Sequence, residues 1–303
     1  MAPGDVFEVE SASDVYYVDT GMYDTAEYGA VYIVDAERPA IVDTGIGTHR
    51  DRVIDAIEEV GIAMEDLAVI AVTHIHLDHA GGAGYLAEAA PNADVYVHEI
   101  GASHLVDPGR LVEGTKSAVG DQWEFYVEPK PLPEDRVIEM SDGDVIDLGD
   151  REWDVLHAPG HAPHQVVFHN AEEDVVYVAD AAGSWVPALG EVRELSPPPN
   201  FDLEQVVDSA EMIADLEPEV LLYPHFGPVD ENVQWVLDDY QGTIAEFVEA
   251  VESRYEELGD EEAVVEHFVE NTDMDEVWGK RKARGETGMN VRGVLRYIKT
   301  EGE

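Results

Sequence analysis

The chain has 303 residues, 45% of them hydrophobic, which is enough for one large or two modest cores and predicts a globular protein. None is cysteine, which excludes disulfide bonds, thiolate metal ligands and a cysteine nucleophile and leaves His, Asp and Glu for a metal site. With 67 acidic against 17 basic residues the formal net charge is −50, which disfavours nucleic-acid binding through a general basic field.

The first part of the chain has several strand-like segments followed by a helix-like one. Short apolar runs bounded by Gly, Pro or Asp predict strands in "VFEVE", "VYYVDT", "AVYIVDA" and "PAIVDTG". The segment "HRDRVIDAIEEVG" predicts a helix, because its apolar residues keep helical spacing and Gly61 suits the C-cap.

Beyond this helix the pattern alternates. "LAVIAVTH" predicts a strand, "GGAGYLAEAA" a helix that ends at Pro91, and "DVYVHE" another strand. Residues 100–133 are poorly periodic and are expected to be helix or loop. Strands return in "RVIEM", "DVIDLG", "EWDVLHA", "QVVFHN" and "VVYVAD", followed by a helix near Leu203 to Leu216 and the apolar run "VLLYPHFG".

From residue 230 onward the pattern is helical. Apolar residues recur there at intervals of three and four: Val233, Leu237, Tyr240, Ile244, Phe247, Val251 and Tyr255. We therefore predict two regions, residues 1–229 with two β-rich halves and residues 230–303 as a helical C-terminal region that is basic near its end.

The stretch "THIHLDHAGG" follows an apolar run that is typical of a buried strand. Four of its side chains are of metal-ligating types: His74, His76, Asp78 and His79. The first two alternate with Ile75, so both can face one side of an extended segment, and the other two follow at a turn. Gly81 and Gly82 are expected to let the backbone bend tightly. Neutral imidazoles and carboxylates bind zinc and similar ions, so the stretch predicts part of a metal site.

The remaining ligands must come from other segments. Three candidates stand at the ends of other predicted strands: His161 in "APGHAPHQ", Asp180 at the end of "VVYVAD" and His225 in "LLYPHFG". Each follows an apolar strand and meets a Gly, Pro or Ala turn. Because open α/β sheets bind ligands at strand termini, we expect these side chains to share one site with the histidine-rich stretch.

These motifs resemble the metallo-β-lactamase fold superfamily. "THIHLDHAGG" fits the H-x-H-x-D-H signature of that family, and the later His, Asp and His appear in the expected order. The resemblance covers roughly residues 6–229 and includes "AIVDTG" around Asp43. It implies an α/β (α+β) fold, an αββα sandwich of the metallo-β-lactamase type with a helical C-terminal extension, in which two metals occupy a groove between the sheets.

The resemblance also implies a ligand set. One ion would be held by His74, His76 and His161. The second would be held by Asp78, His79 and His225, with Asp180 bridging both ions. The two divalent ions are expected to be zinc, with iron or manganese as alternatives. Asp43 would either support the ligand histidines or only hold a turn.

The function that follows is that of a dinuclear metal-dependent hydrolase acting on a small ester, thioester or lactone, as in the glyoxalase II and lactonase branches of the family. Two dications about 3.5–4 Å apart lower the pKa of a bridging water toward about 7, which gives a hydroxide nucleophile. Asp78 would orient this hydroxide or take its proton after the attack. Three alternatives stay open: a mononuclear iron enzyme resembling sulfur dioxygenases, a phosphodiesterase or nuclease of the same fold, and a non-catalytic binding protein.

Two features bear on the substrate. His164 stands where the common P-G-H-[ST]-x-G pattern has a small residue, and it contacts substrate, acts as an extra proton carrier or only packs. Seven of the 17 basic residues fall in Lys280 to Lys299. They either pair with carboxylates along a helical face, or Arg292, Arg296 or Lys282 reaches the groove and binds an anionic substrate group. Four further histidines are expected to be structural: His98, His104, His157 and His169.

The charge pattern favours a salt-saturated cytosol, as in extreme halophiles. The acidic residues are spread along the whole chain and only five lysines are present. At about 1 M salt the screening length falls to about 3 Å, which removes most of the self-repulsion. The chain shows no long apolar run and no leader-like N-terminus, so we expect a cytoplasmic protein. The expected partner is a small-molecule substrate, which is anionic if the basic segment binds it. Neither nucleic acid nor a membrane is expected as a partner, and a homo-oligomer is left open.

Overall fold

A computed structural model describes residues 2–301, so the outermost positions of the two predicted regions, 1, 302 and 303, lie outside the described residues. Two β-sheets form the centre of the molecule. The strands of the first sheet, in spatial order, are β1 (Val6–Glu8), β2 (Val15–Asp19), β3 (Ala30–Val34), β4 (Ala40–Val42), β5 (Val69–Ala71), β6 (Asp94–His98) and β7 (Val137–Met140).

The second sheet has β8 (Val145–Asp147) at one edge, then β9 (Glu152–His157), β10 (Val166–Asn170), β11 (Val175–Tyr177), β14 (Val220–Tyr223) and β15 (Gly227–Val229). A separate hairpin, which the sequence patterns did not predict, joins β12 (Ser184–Val186) to β13 (Glu191–Arg193). In the first sheet β4, β5, β6 and β7 pair in parallel, and in the second β11 pairs in parallel with β14.

Helices cover the outer faces of both sheets. They are α1 (Arg50–Val60), α2 (Leu77–Ala80), α3 (Ala83–Ala89), α4 (Glu99–Val106), α5 (Gly109–Val119), α6 (Leu203–Asp215), α7 (Val233–Leu258), α8 (Glu261–Asn271) and α9 (Gly279–Glu301). Helices α1, α3 and α4 pack on the first sheet, and α6 to α9 contribute to the core on the second. The predicted αββα sandwich with a helical C-terminal part is therefore confirmed.

Strand β5 shows how the sequence specifies these layers. Val69 and Ala71 belong to the core between the two sheets, whereas Ile70 belongs to the core under the helices. Because successive side chains of a strand point to opposite faces, a strand buried on both faces needs a continuous apolar run. Helix α1 ends as expected at Gly61, whose φ of 107° is a conformation that favours glycine.

Of two features that the sequence patterns defined weakly, the fold resolves one. Residues 100–133 contain α4, α5 and a short 3-10 turn over Gly120–Phe125. The boundary near residue 230 stays a prediction, because α7 residues such as Leu237 and Tyr240 share a core with Val176 and Leu221 of the second sheet. Within residues 2–301 no helix has the length and apolar character needed to cross a membrane.

Candidate metal centre

The seven predicted donors lie at the ends of strands from both sheets. His74 and His76 follow β5, and Asp78 and His79 lie in α2 immediately after them. Three donors come from the second sheet: His161 between β9 and β10, Asp180 after β11, and His225 between β14 and β15. Residues far apart in sequence therefore meet at one edge of the sandwich, as the strand-end pattern predicts.

The first group brings three imidazole nitrogens together. His74 Nε2 and His161 Nε2 each lie 3.0 Å from His76 Nδ1. Ligand atoms around a tetrahedral zinc ion, with Zn–N distances of ~2.0–2.1 Å, lie about 3.3 Å apart. The three nitrogens are therefore close to the spacing that one metal ion requires.

Asp180 lies between this group and a second one. Its Oδ2 is 3.1 Å from His161 Nε2 and 3.3 Å from His79 Nε2, and its Oδ1 is 3.7 Å from His225 Nε2. Asp78 Oδ2 lies 3.8 Å from His225 Nε2 and 3.9 Å from His79 Nε2. The donors thus form two adjoining groups with one carboxylate between them.

Hydrogen bonds fix the orientation of two donor rings. His79 Nδ1 lies 2.8 Å from Asp43 Oδ2, so the ring donates its proton there and turns Nε2 toward Asp180. Asp43 also accepts from the backbone N–H and hydroxyl of Thr73, at 2.8 and 2.9 Å. His225 Nδ1 donates to the carbonyl oxygen of Tyr28 at 2.8 Å. In both rings the opposite nitrogen faces the centre, and the neutral form protonated at Nδ1 is the tautomer that a metal ligand needs.

The carboxylates give this region a negative field. Burial lowers the pKa of His79, but the charges of Asp180, Asp43 and Asp78 outweigh burial and raise this pKa well above its usual value. Burial raises the pKa of Asp180, but His79 and His161 outweigh it and hold that pKa well below its usual range. Within residues 2–301 the ion-pair partners of these three carboxylates are histidines. The centre therefore favours positive charge.

The histidines of the first group, unlike His79, are held neutral. Burial lowers the pKa of His161 to about 3, although Asp180 acts in the opposite direction. Burial, followed by the neighbouring His79, lowers the pKa of His74 well below its usual value. Neutral imidazoles with free lone pairs are metal ligands, whereas protonated imidazoles are not.

Among residues 2–301, three buried atoms of the donor side chains lack a hydrogen-bond partner; one is His161 Nδ1, and the other two face the centre. His79 Nε2 and Asp180 Oδ1 are buried and have no hydrogen-bond partner within the described part of the chain. A buried polar atom without a partner costs about 1–3 kcal/mol. A divalent cation would satisfy both atoms and neutralise the surrounding carboxylates, so the residues present fit a metal centre of one or two ions.

Gly81 and Gly82, which follow the donor His79, do not form the tight bend that was expected of them. Gly81 and Gly82 have φ of −62° and −84°, which any residue adopts, so no special bend occurs there. A Cβ at Gly82 would instead collide with the carbonyl oxygen of Thr44. Glycine is needed because the donor segment packs directly on the backbone after β4.

A cleft of about 300 Å³ opens onto the donors. The donors that line it, among them His76 and Asp78, are called its floor, and its walls include one face of α5, residues 197–200 and Met289 of α9. Asp78 is the more exposed carboxylate, with 24% of its side chain accessible against 3% for Asp180. A small substrate in this cleft would contact Asp78 first.

His164 lies at the edge of this cleft and is 7% exposed. Its Nδ1 accepts a hydrogen bond from the backbone N–H of Ile75 at 3.4 Å. Burial, followed by His76 and His161, lowers its pKa to about 2, so the ring is neutral. His104, which was expected to be structural, also lines the cleft.

The basic residues of α9 do not line the cleft. Arg292 lies 3.7 Å from Glu262, and Arg296 donates to the carbonyl oxygen of Pro199 at 3.1 Å. Lys282 is buried and lies 2.5 Å from Glu286. The contacts of Arg292 and Lys282 favour the carboxylate-pairing interpretation, and a substrate role for Arg292 and Arg296 stays a prediction.

Sequence patterns gave no indication of the network around Lys282. The ammonium lies 4.0 Å from the ring centroids of Tyr23 and Tyr28, and the Tyr28 hydroxyl donates to Glu286 at 3.0 Å. Because Glu286 lines the cleft and the Tyr28 carbonyl orients His225, this network ties α9 to the metal centre. The i, i+4 spacing of Lys282 and Glu286 was the one available signal.

Comparison with known proteins adds to this geometry. The family described as "Metallo-beta-lactamase superfamily" matches residues 24–225, a range that includes all seven donors. The metallo-beta-lactamase fold-containing protein ST1585 of Sulfurisphaera tokodaii is 25% identical over 224 residues, which are 72% of this chain and 80% of that protein.

Two further similarities concern a human protein and a crystal structure. The acyl-coenzyme A thioesterase MBLAC2 of Homo sapiens is 26% identical over 201 residues, 57% of this chain and 67% of that protein. The crystal structure of ST1585 from Sulfolobus tokodaii, an archaeal metallo-beta-lactamase superfamily protein, matches with a TM-score of 0.70 at 23% identity and covers 94% of this chain and 99% of that one. The latter similarity concerns the fold.

Proposed function

The chain belongs to the metallo-beta-lactamase superfamily, and we propose that it is a dinuclear metal-dependent hydrolase of small esters or thioesters, close to the glyoxalase II and lactonase branches. The observation that carries the proposal is the convergence of seven donor side chains in adjoining groups at the floor of an open cleft. The groups are His74, His76 and His161; His74, His79 and Asp180; and Asp78, His79 and His225.

The chemistry is the addition of water to a carbonyl carbon followed by cleavage of the carbon–oxygen or carbon–sulfur bond, which yields a carboxylic acid and an alcohol or thiol. When bound, a pair of divalent ions, preferably zinc, would polarise the carbonyl group and activate the water. Asp78 lines the cleft and is ionised, because its neighbours His79 and His225 outweigh burial and keep its pKa below the usual value. Its carboxylate is therefore placed to accept a proton from the attacking water.

Two observations support a thioester over other substrates. One relative is an acyl-coenzyme A thioesterase by name, at 26% identity. The cleft walls are largely apolar, with Leu111, Ala118 and Val119 on one side and Met289 and Leu195 on others. Such walls suit an acyl chain better than a polar phosphodiester backbone.

The test is an assay of the metal-loaded protein in molar KCl against thioesters, lactones, phosphodiesters and β-lactams, with metal content measured in parallel. We expect turnover of a thioester or ester with two divalent ions bound. Replacing Asp78→Asn should lower kcat by at least about a hundredfold while the circular dichroism spectrum is unchanged. Asp208→Asn, at an exposed position on α6, is the matched control and should keep the wild-type rate.

Three outcomes would contradict the proposal. An unchanged rate of the Asp78→Asn variant would exclude the assigned role of this carboxylate. One iron per chain with oxygen-dependent turnover of a thiol would support the dioxygenase alternative instead. Faster cleavage of phosphodiesters than of every ester and thioester would support the nuclease alternative.

We further propose that the protein works in a salt-rich cytoplasm. A net charge of −50 on 303 residues produces strong self-repulsion, which molar salt screens. Repeating the assay at about 0.1 M KCl tests this idea, because the fold and the activity should both weaken there. Full activity and an unchanged melting temperature at low salt would contradict it.

A further inference from the structure

Arg110, near the start of α5, has an unusual position for a basic residue of this chain. It is exposed and lines the cleft that opens onto the metal centre. Among the described residues that line this cleft, it is the only arginine or lysine. The cleft therefore has one permanently charged cationic side chain on its wall.

The guanidinium of Arg110 has no partner within residues 2–301. Every other arginine makes a hydrogen bond from its guanidinium to a carboxylate or a carbonyl oxygen. In a chain with 67 acidic and 17 basic residues, carboxylate partners are abundant. An unpaired arginine on the wall of the cleft is therefore available to a ligand.

The same face of α5 continues from Arg110 along the cleft. The residues of this face are Leu111, Gly114, Thr115, Ala118 and Val119. They recur at the spacing of one helix face, and all but Thr115 are small or apolar. None of the α5 residues is fully buried, and of this face Leu111 packs partly against the core of the first sheet, so the rest of the apolar face is left to the cleft.

We propose that Arg110 binds an anionic group of the substrate, a carboxylate or a phosphate, and that the apolar face of α5 contacts the adjoining hydrocarbon segment. This proposal rests on the proposed hydrolase function. The preferred substrate class is then an ester or thioester that combines an apolar segment with an anion. Arg110 is a specificity-determining residue at the mouth of the cleft, separate from the donors on its floor.

The physical chemistry of arginine suits this role. The guanidinium donates two parallel hydrogen bonds to a carboxylate or phosphate, which a point charge does not. The overall charge of −50 repels anions. In molar salt, long-range attraction is screened, and the attraction between a guanidinium and an anion stays strong only in direct contact. Because the contact is the same before and during the reaction, its loss should raise KM and leave kcat nearly unchanged.

The experiment compares four thioesters with the metal-loaded wild type and the Arg110→Gln variant in molar KCl. The acyl part is butanoyl, which is neutral, or succinyl, which carries a carboxylate. The leaving group is N-acetylcysteamine, which is neutral, or coenzyme A, which carries phosphates. We expect Arg110→Gln to raise KM about tenfold for the thioesters whose anion Arg110 binds, and by less than about twofold for butanoyl-N-acetylcysteamine. A raised KM for the two succinyl thioesters identifies a carboxylate as the recognised group, and a raised KM for the two coenzyme A thioesters identifies a phosphate.

Two variants serve as references. Arg110→Lys should recover part of the lost affinity, because it keeps the charge without the two-pronged geometry. Arg254→Gln removes an arginine that pairs with Glu257 on α7, outside the cleft, and should leave all four KM values unchanged.

The inference and the proposed function fail in different ways. Equal KM changes for neutral and anionic thioesters, or a larger effect of Arg292→Gln on the anionic ones, would overturn the role of Arg110 and leave the hydrolase proposal intact. Absence of turnover for all four would count against thioester hydrolysis. Arg110 is still tested then by calorimetry with a non-hydrolysable thioether that ends in a carboxylate and with its amide counterpart. Tighter binding of the carboxylate in wild type but not in Arg110→Gln supports the inference, and equal binding contradicts it.

Discussion

The floor of the cleft and its α5 wall differ in how firmly the fold holds their side chains. On the floor, Asp43 orients His79 and the carbonyl oxygen of Tyr28 orients His225, at 2.8 Å in each case. On the wall, α5 has no fully buried residue, and Arg110 makes no hydrogen bond or ion pair within the described chain.

This difference separates chemistry from selectivity. Donors that must share a cation need positions fixed to within a fraction of an ångström, which buried hydrogen-bonded networks provide. A wall that accepts an apolar segment needs only a suitable surface, and a helix without buried residues is held by few contacts. We expect substitutions at the floor or beneath it to affect stability and metal binding, and substitutions on α5 to affect mainly KM.

The largest effect is expected beneath the floor. Ile70 of β5 is completely buried under the helices of the first sheet, and Ile70→Ala would leave a cavity next to the strand that leads to the donors. The free energy of unfolding should fall by about 2–5 kcal/mol, measured by denaturant titration at constant molar KCl. Val145→Ala, on β8 and 48% exposed, is the control and should change it by less than about 1 kcal/mol. Similar losses in both variants would contradict the layered core described above.

An intermediate effect is expected at the support of the donors. Asp43→Asn keeps the size of the side chain but removes the charge that holds His79 Nδ1–H. Metal affinity should fall about 10- to 100-fold, which is about 1.4–2.7 kcal/mol. Competition with a chromophoric chelator measures this change, and Asp35→Asn at an exposed position after β3 is the matched control. Equal metal affinity in wild type and Asp43→Asn would leave Asp43 with the turn-holding role alone.

The smallest effect on stability is expected on the wall. Leu111 is half-buried and lines the cleft, so Leu111→Ala should lower the free energy of unfolding by less than about 1 kcal/mol. KM for a thioester with an apolar acyl chain should rise about fourfold, the equivalent of one lost methylene contact. Steady-state kinetics and thermal unfolding of the same preparation test both parts. A stability loss as large as that of Ile70→Ala would mean that α5 belongs to the core.

The sequence predicted the layers and the donors better than their surroundings. Apolar runs in "LAVIAVTH" and "VVYVAD" indicated strands, and ligand-type residues at their ends indicated a shared site, because both signals are local. The hairpin β12–β13 was missed because its strands have three residues each, too few for a periodic signal. Gly82 was interpreted through its backbone freedom, whereas the close approach of Thr44 explains it.

The wall of the cleft was also beyond the reach of sequence patterns. Residues 100–133 lacked clear periodicity because α5 has no fully buried residue: most of its apolar residues line the cleft, and Leu111 also packs partly against the core of the first sheet. The basic segment near the C-terminus gave the stronger signal in the sequence, but its residues Arg292 and Lys282 have carboxylates nearby. An isolated basic residue such as Arg110 gives no signal until its neighbours in space are known.

By itself the sequence determined the succession of strands and helices, the residue types able to hold a metal and the order in which the strands deliver them. These properties follow from hydrophobic periodicity and from side-chain chemistry, which are written along the chain. Only the tertiary structure decided that the Tyr28 carbonyl oxygen orients His225 and that Arg110 stands unpaired over the cleft. Such contacts join segments distant in sequence, and their energies depend on packing geometry that no local pattern encodes.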